Sequence, residues 1–450
     1  MLELKYIIKK NFIIGNGENK ALILDKLLFS WEIFMKKNKI LKIVSSIVFL
    51  TAVVVLANTY SKRNEENIYL NNGIDKTGRV ENSVDEKEQE AIENEEIKYI
   101  DIVSLGNLII HQSQINGAKN ENGYDFSPSF QYIKEMVSEA DISLGILEGA
   151  LAGGEPTGYP IFNSPDEVID SLRDTGIDVV NYANNHIYDY DDEGLQRTIE
   201  ITKEKGLDVL GIKSTEEEKS YLVKEVDGVK IGFASYVFET ETINGYKTIN
   251  SNPVSINSEN LINTFNYNDL ESFYNRIASE ISAMKAEGVE FIIASMHWGE
   301  EYNTYIEATQ NEIAKKLNEL GVDIILGGHP HVIQPYEIIC NESGHSTFVI
   351  YSQGNSLSNQ SEQEIGVAES EDGIMIKFTL EKKDGNVSLK EYKIIPTWVY
   401  KEEKGDGTYY HKIIPVEEAL ANPEEYGINS DVYARLENSL NRTKSILGIQ

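Results

Sequence analysis

The chain has 450 residues, 41% hydrophobic and 25% charged, which is ordinary globular usage and enough for one large domain with appendages. Its 73 acidic residues against 41 basic ones leave a net charge of -32, which argues against nucleic acid as a partner because the phosphate backbone would be repelled. An anionic substrate stays open, since a bound metal reverses the local sign. The single cysteine, Cys340, excludes an internal disulfide and, following "YEII", reads as a buried, inert thiol.

Residues 1–42 carry apolar runs ("YIIKKNFII", "ALILDKLLFSWEIF") and read as a cytoplasmic N-terminal segment. Residues 43–61, "IVSSIVFLTAVVVLANTYS", hold no charge. Their length is close to the roughly 20 residues that a helix needs to cross a bilayer core. Lys36, Lys37, Lys39 and Lys42 precede this run, which predicts a cytoplasmic N-terminus and an extracellular remainder at the cell membrane. The span begins too far into the chain for a typical cleaved signal peptide, so an uncleaved anchor is expected. Residues 62–96 read as an acidic linker: positions 81–96 contain eight acidic residues against one lysine. Such a stretch cannot bury a core.

From residue 97 the pattern alternates between strand and helix. "IKYIDIVSLG" predicts a strand, "SPSFQYIKEMVSEA" a helix, "DISLGILEG" a strand and "SPDEVIDSLRDTG" a helix. "DVVNYA" follows as a strand, "EGLQRTIEITKEKG" as a helix and "VKIGFASYVF" as a strand. After a looser stretch at 240–266 come the helix "LESFYNRIASEISAMKAEG", the strand "EFIIASMHWG", the helix "TQNEIAKKLNELG" and the strand "DIILGGHP". "STFVIYSQGN" and "IMIKFTL" read as further strands. This order predicts an α/β core with largely parallel strands, occupying 97–400 and followed by an extension at 401–450.

Polar residues sit where these strands end. Asn107 follows "VSLG", with His111 four residues on; Glu148 ends "SLGIL"; Asn185 and His186 follow "DVVNYA"; His297 ends "FIIASM"; His329 and His331 close "IILGGHP". Five of the seven histidines therefore occupy equivalent positions. One such histidine is an ordinary core residue, but five on one sheet edge form a site. Imidazole, amide and carboxylate together suit a divalent metal such as Mn, Zn or Fe(II), as one ion or two. In such a site His186 protonates a leaving group or stabilises developing charge. The carboxylates at 189–193 either orient the His186 loop or cap the next helix, and the cap is the favoured reading. Trp298 and Tyr302 wall a pocket or pack in the core, and Gly327 and Gly328 relieve backbone crowding.

The segments "YANNHIYDY" with "EGL", "SMHWGEEY", "GGHPHVIQPYE", "YSQGNSLSNQ", "YDFSPSF" and "IFNSP" together resemble the CapA family of poly-γ-glutamate capsule proteins, within the calcineurin-like metallophosphatase superfamily. The resemblance spans 97 to about 400 and implies an α-β-β-α sandwich behind the N-terminal transmembrane helix. It also implies that Asn185, His297 and His329 hold one metal, that His331 serves a second, and that Glu148 bridges the two. The family's first Gly-Asp motif is here Gly106-Asn107, and the Asn of its Asn-Leu-Glu segment is Ile146. Both changes weaken the His331 side, where Asn107 still offers a carbonyl oxygen and His111 is a candidate compensating ligand. The implied role is that of a component of a capsule synthesis complex, with other membrane proteins and a poly-γ-glutamate-type polymer as partners. The rival reading is a metal-dependent surface hydrolase, a phosphoesterase or an amidase.

Overall fold

Apolar alternation in "KYIDIVSLGNLI" makes β1, Lys98–Ile109, which runs longer than its sequence signal suggests. In a computed structural model, which describes residues 97–449, β1 lies at the middle of an eight-stranded sheet. On one side β1 pairs in parallel with β2 (Ile142–Glu148), which is followed by β3 (Val179–Asn181) and β4 (Asp208–Leu210). A seven-stranded second sheet contains β5 (Tyr221–Val226), β6 (Val229–Phe238), β7 (Thr264–Phe265), β8 (Phe291–His297) and β9 (Ile324–Gly328). It is completed by β10 (Tyr336–Cys340) and β11 (Ser346–Ile350), and its strands β6, β8, β9 and β11 run parallel.

The stretch "STFVIYSQGN", expected as one strand, divides in two. After β11 the chain leaves the second sheet, and β12 (Asn355–Leu357) pairs with β1 of the first. Gly354, at φ 68°, makes the turn, and a Cβ there would meet Asp372 O at 2.6 Å. The first sheet then continues antiparallel through β13 (Asp372–Lys383), β14 (Asn386–Glu403) and β15 (Tyr409–Pro415), so β14 carries the chain past residue 400 without a break.

The layers follow from period-two burial. In β6, Ile231 and Phe233 face the first sheet, while Ala234 and Tyr236 face outward. In β8, Ile293 faces inward, and Ile292, Ala294 and Met296 face outward. The inward set meets Ile100, Ile102, Ile142, Leu144, Ile374 and Ile376, which form the core between the sheets. Helices α1 (Glu167–Thr175) and α2 (Asp191–Glu204) cover the outer face of the first sheet through Ile169, Leu172, Leu195 and Ile199. Helices α3 (Leu270–Ala286) and α4 (Ala308–Leu320) cover the second through Ile277, Ile281, Ile313 and Leu317. The order is helix, sheet, sheet, helix, as expected. Strands buried on both faces read as continuous apolar runs, which is why they were visible in the sequence.

The C-terminal helix α5 (Ser430–Leu447) is clamped to the first sheet. Arg442 makes a bidentate pair with buried Asp372, both contacts 2.8 Å, and Arg435 pairs with Glu371 at 2.7 Å. Cys340 corrects an expectation: it is exposed, because β10 lies at the edge of the second sheet with one face toward solvent. Among the described residues no helix is long and apolar enough to cross a membrane. The expected segment 1–42, span 43–61 and linker 62–96 lie outside the described residues.

Candidate metal centre

The strand ends of both sheets converge on one edge, and two contacts between the sheets hold that edge together. Asn181 Nδ2 of β3 donates to Ser295 Oγ of β8 (2.9 Å), and Ser104 Oγ of β1 donates to Gln353 Oε1 (2.8 Å). Asn107 was expected at the end of a strand. It lies inside β1, at register irregularities with β2 and β12. Such a bulge re-aims a side chain, and here the amide of Asn107 reaches across toward the second sheet. The close approach depends on Gly328, where a Cβ would lie 2.8 Å from Asn107 Oδ1 and 2.8 Å from Ile146 Cδ1. Gly327 is as constrained, since its Cβ would meet Tyr351 O at 1.9 Å. Relief of crowding is therefore the role of both glycines.

Asn107, Glu148, Asn185, His297, His329 and His331 form one buried cluster. Asn107 Nδ2 lies 3.2 Å from His331 Nδ1, and His331 Nε2 lies 3.9 Å from Glu148 Oε2. Asn185 Oδ1 lies 2.9 Å from His297 Nε2. The His297 and His329 ring centroids are 4.8 Å apart, and those of His329 and His331 are 5.8 Å apart. Asn184 of the same loop is a clamp: its Nδ2 donates to Leu147 O (2.8 Å), and its Oδ1 accepts from His186 N (3.0 Å).

His186 stands beside the cluster and is one of the neighbours that help lower the pKa of His297, His329 and His331. Its Nδ1 lies 2.9 Å from Asp189 Oδ2, which also accepts the Phe162 backbone N–H at 2.9 Å. The Phe162 ring packs edge-on against His186, at 4.6 Å between centroids. This corrects the reading of the 189–193 carboxylates as a helix cap. Helix α2 begins at Asp191 with no side-chain cap bond, and Asp192 instead accepts from Tyr188, Ser255 and Ser258. Asp189 orients the histidine. His111 is not brought into the cluster: its Nδ1 accepts from Asn359 N (3.3 Å), and its ring packs edge-on against the other side chain of this wall, Phe162, at 5.3 Å. Trp298 is core, stacked on Tyr351, whereas Tyr302 lies 6.1 Å from the His331 ring and lines the cleft.

Three residues escaped the sequence reading. Glu301 is partly exposed at the rim, with Oε1 4.0 Å from His331 Nε2, and its ligand atom groups with those of His329 and His331 within 4.8 Å. Asn355 holds His331 Nδ1 at 3.2 Å, and Gln360 joins Asn355 (3.0 Å) to the Tyr302 hydroxyl (3.2 Å). The only available signals were the second acid of "GEEY" and the amides of "YSQGNSLSNQ". His329, His331 and Tyr302 all adopt left-handed backbone, at φ 95°, 58° and 64°. Such conformations cost on the order of 1–3 kcal/mol each and persist where a site over-determines them.

The electrostatics fit a cation. Asn107 Oδ1, both oxygens of Glu148, His297 Nδ1 and His329 Nδ1 are buried without a hydrogen-bond partner among the described residues. Leaving buried polar atoms unsatisfied costs roughly 1–3 kcal/mol apiece, more for a charge. Burial, reinforced by the Glu301 and Asp189 carboxylates, pushes the Glu148 carboxyl well above its usual range. Burial also drives His297 and His331 well below the usual histidine range and His329 down to about 3, with neighbouring imidazoles adding to each effect. Neutral imidazoles beside an unsatisfied carboxylate are the form that ligates a divalent metal.

A family model described as "Bacterial capsule synthesis protein PGA_cap" matches residues 101–360. The chain is 23% identical over 365 residues to "Capsule biosynthesis protein CapA" of Bacillus anthracis, covering 79% of this chain and 76% of that protein. It is 26% identical over 264 residues to "PGA biosynthesis protein CapA" of Bacillus subtilis (strain 168), covering 56% of this chain and 61% of the relative. Among solved structures, the calcineurin-like phosphoesterase YfkN from Bacillus subtilis aligns at a TM-score of 0.36 and 17% identity, over 76% of this chain and 99% of that one. That likeness is too distant to assign the fold, which rests on the sheets described above.

Proposed function

The chain belongs to the bacterial capsule synthesis family, and from that premise we propose that it is a membrane-anchored, extracellular component of a complex making a poly-γ-glutamate-type capsule, with a partly degenerate divalent-metal centre at its cleft. The observation that supports the metal centre is the set of five buried donor atoms that have no partner among the described residues, beside a histidine fixed by a carboxylate; the capsule role rests on the family match. Asn185, His297 and His329 would hold one ion. His331, Glu148, Glu301 and Asn107 form a weaker second side, because Asn107 brings an oxygen without a charge.

A divalent cation here supplies Lewis acidity and activates water at neutral pH. The chain's own residues do the rest. Asp189 keeps the proton of His186 on Nδ1, so Nε2 is the atom that exchanges a proton with a leaving nitrogen or oxygen. Phe162 packs against that ring and keeps water from it. The reaction class that fits is hydrolysis of an amide or ester, in which water adds to the acyl or phosphoryl centre and the proton leaves on the amine or alcohol. A purified full-length chain in detergent, supplied with Mn or Zn and a γ-linked oligoglutamate, tests this by release of new amine ends. The reading expects cleavage that is lost in His186→Ala and in His329→Ala.

A second reading, a scaffold that has kept the fold and lost the chemistry, is favoured by the amide of Asn107 and the apolar Ile146 where the family carries Asp and Asn. It expects no cleavage, with capsule yield in cells dependent on the chain but tolerant of His186→Ala.

A further inference from the structure

Strand β6 ends at Phe238, whose ring lies nearly parallel to His297 (centroids 6.4 Å apart) and edge-on to His329 (4.8 Å). The next residue, Glu239, opens a separate cavity of about 550 Å³. Three cations enter it: Lys213, Lys247 and Arg276. Among the described residues none of them forms an ion pair; each is tied to a neutral oxygen instead. Lys247 Nζ donates to Thr264 Oγ1 (3.2 Å), Arg276 donates to the Thr264 carbonyl, and Lys213 Nζ donates to Glu216 O (3.0 Å) and Glu218 O (3.3 Å).

Carboxylates line the same cavity, and two of the three are engaged by neutral donors. Glu239 accepts from Thr264 Oγ1 (2.6 Å) and Asn266 Nδ2 (3.0 Å). Glu280 accepts from Ser220 Oγ (2.6 Å) and from the Tyr236 hydroxyl, and burial drives its carboxyl up to about 7, so it carries little charge in mildly acidic solution. Glu259 is the third. Desolvation presses down on the charged forms of Lys247 and Arg276. Glu239 and Glu259 attract Lys247, and Glu239 attracts Arg276, but among the described residues no carboxylate reaches ion-pair contact with either, so these partly desolvated cations keep donors open to an incoming anion.

We propose that this cavity is an anion subsite that holds a carboxylate of an extended polycarboxylate chain while another segment of the same chain lies at the metal centre. The proposal rests on the polymer reading above and adds to it a second point of attachment. Val237 is in register with His297, so Glu239 lies roughly 8 Å from His297 by strand spacing and rise. One extended chain can span both sites.

The experiment measures binding of a fluorescent γ-linked oligoglutamate to the full-length protein, by anisotropy, for the wild type and for Lys247→Gln with Arg276→Gln. Binding is expected to weaken by about tenfold or more in the double variant, with metal content unchanged, and to return when the charges are kept as Lys247→Arg with Arg276→Lys. The charge-keeping pair also separates loss of charge from damage to the fold. Unchanged affinity in the double variant overturns the subsite and leaves the polymer reading standing. Failure of the wild type to bind oligoglutamate overturns the polymer reading, and inorganic tripolyphosphate run in parallel then reads the cavity alone. Loss of tripolyphosphate binding in the double variant removes the polycarboxylate as ligand but keeps an anion site; no loss removes the site.

Discussion

Asp189 holds His186: one carboxylate oxygen lies 2.9 Å from His186 Nδ1 and 2.9 Å from the Phe162 backbone nitrogen. That oxygen fixes both the tautomer of the imidazole and the wall the ring leans on. An Asp189→Asn amide oxygen can take the same place and accept both bonds, but it removes the negative charge that steadies the positive charge developing on His186 during proton transfer. Turnover is expected to fall by about 10²-fold, and by about 10²–10⁴-fold in His186→Ala, with bound metal unchanged in both. Rates and elemental analysis on the same preparations check this, and loss of metal from Asp189→Asn would assign the residue to the metal site instead.

Asn355 bears on the other tautomer. Its Nδ2 donates to Gln360 Oε1 (3.0 Å) and Ser370 O (2.9 Å), so its Oδ1 is placed to accept a proton carried on His331 Nδ1, in competition with Asn107 Nδ2 at the same 3.2 Å from that nitrogen. With the proton there, His331 Nε2 is left bare toward Glu148 and Glu301. Replacement by leucine, similar in size, removes that control. Metal affinity is expected to drop about 10–100-fold, read by Mn titration. An unchanged titration curve would mean that packing alone orients His331.

Glu280 gives the fold a pH dependence. Its carboxyl is raised from 4.5 to about 7 by burial, so the folded chain holds this proton more tightly than the unfolded one. The contribution is complete below about pH 4.5 and is lost as pH rises through about 7. It amounts to about 3 kcal/mol at roughly 1.4 kcal/mol per pKa unit. Melting temperature should therefore fall between pH 5 and pH 8, and Glu280→Gln should flatten that slope. A slope identical in wild type and variant would contradict it.

The layers of the fold were legible because parallel strands buried on both faces leave long apolar runs, and because the glycines after α1 and α4 mark their ends. Gly176 and Gly321 both adopt left-handed backbone there. The six clustered residues were legible for a related reason: an amide, carboxylate or imidazole directly after an apolar run has little else to do. Glu301 was not, since one more acid on an acidic surface carries no local signal. Asp189 was misread because acidic residues before a helix ordinarily cap it, and only the folded loop brings its carboxylate back three residues to His186. The division of "STFVIYSQGN" between two sheets was equally hidden, because both halves have strand composition and the turn depends on what Gly354 meets in space.

Metal content of the full-length chain, measured after saturation with Mn and removal of free ion, bears most directly on the centre. The account predicts about one ion in the wild type, none in His329→Ala, and a rise toward two in Asn107→Asp, where a carboxylate replaces the partnerless amide oxygen beside His331. A wild-type chain that retains no metal, with Asn107→Asp no different, would contradict it and leave the cleft without its chemistry.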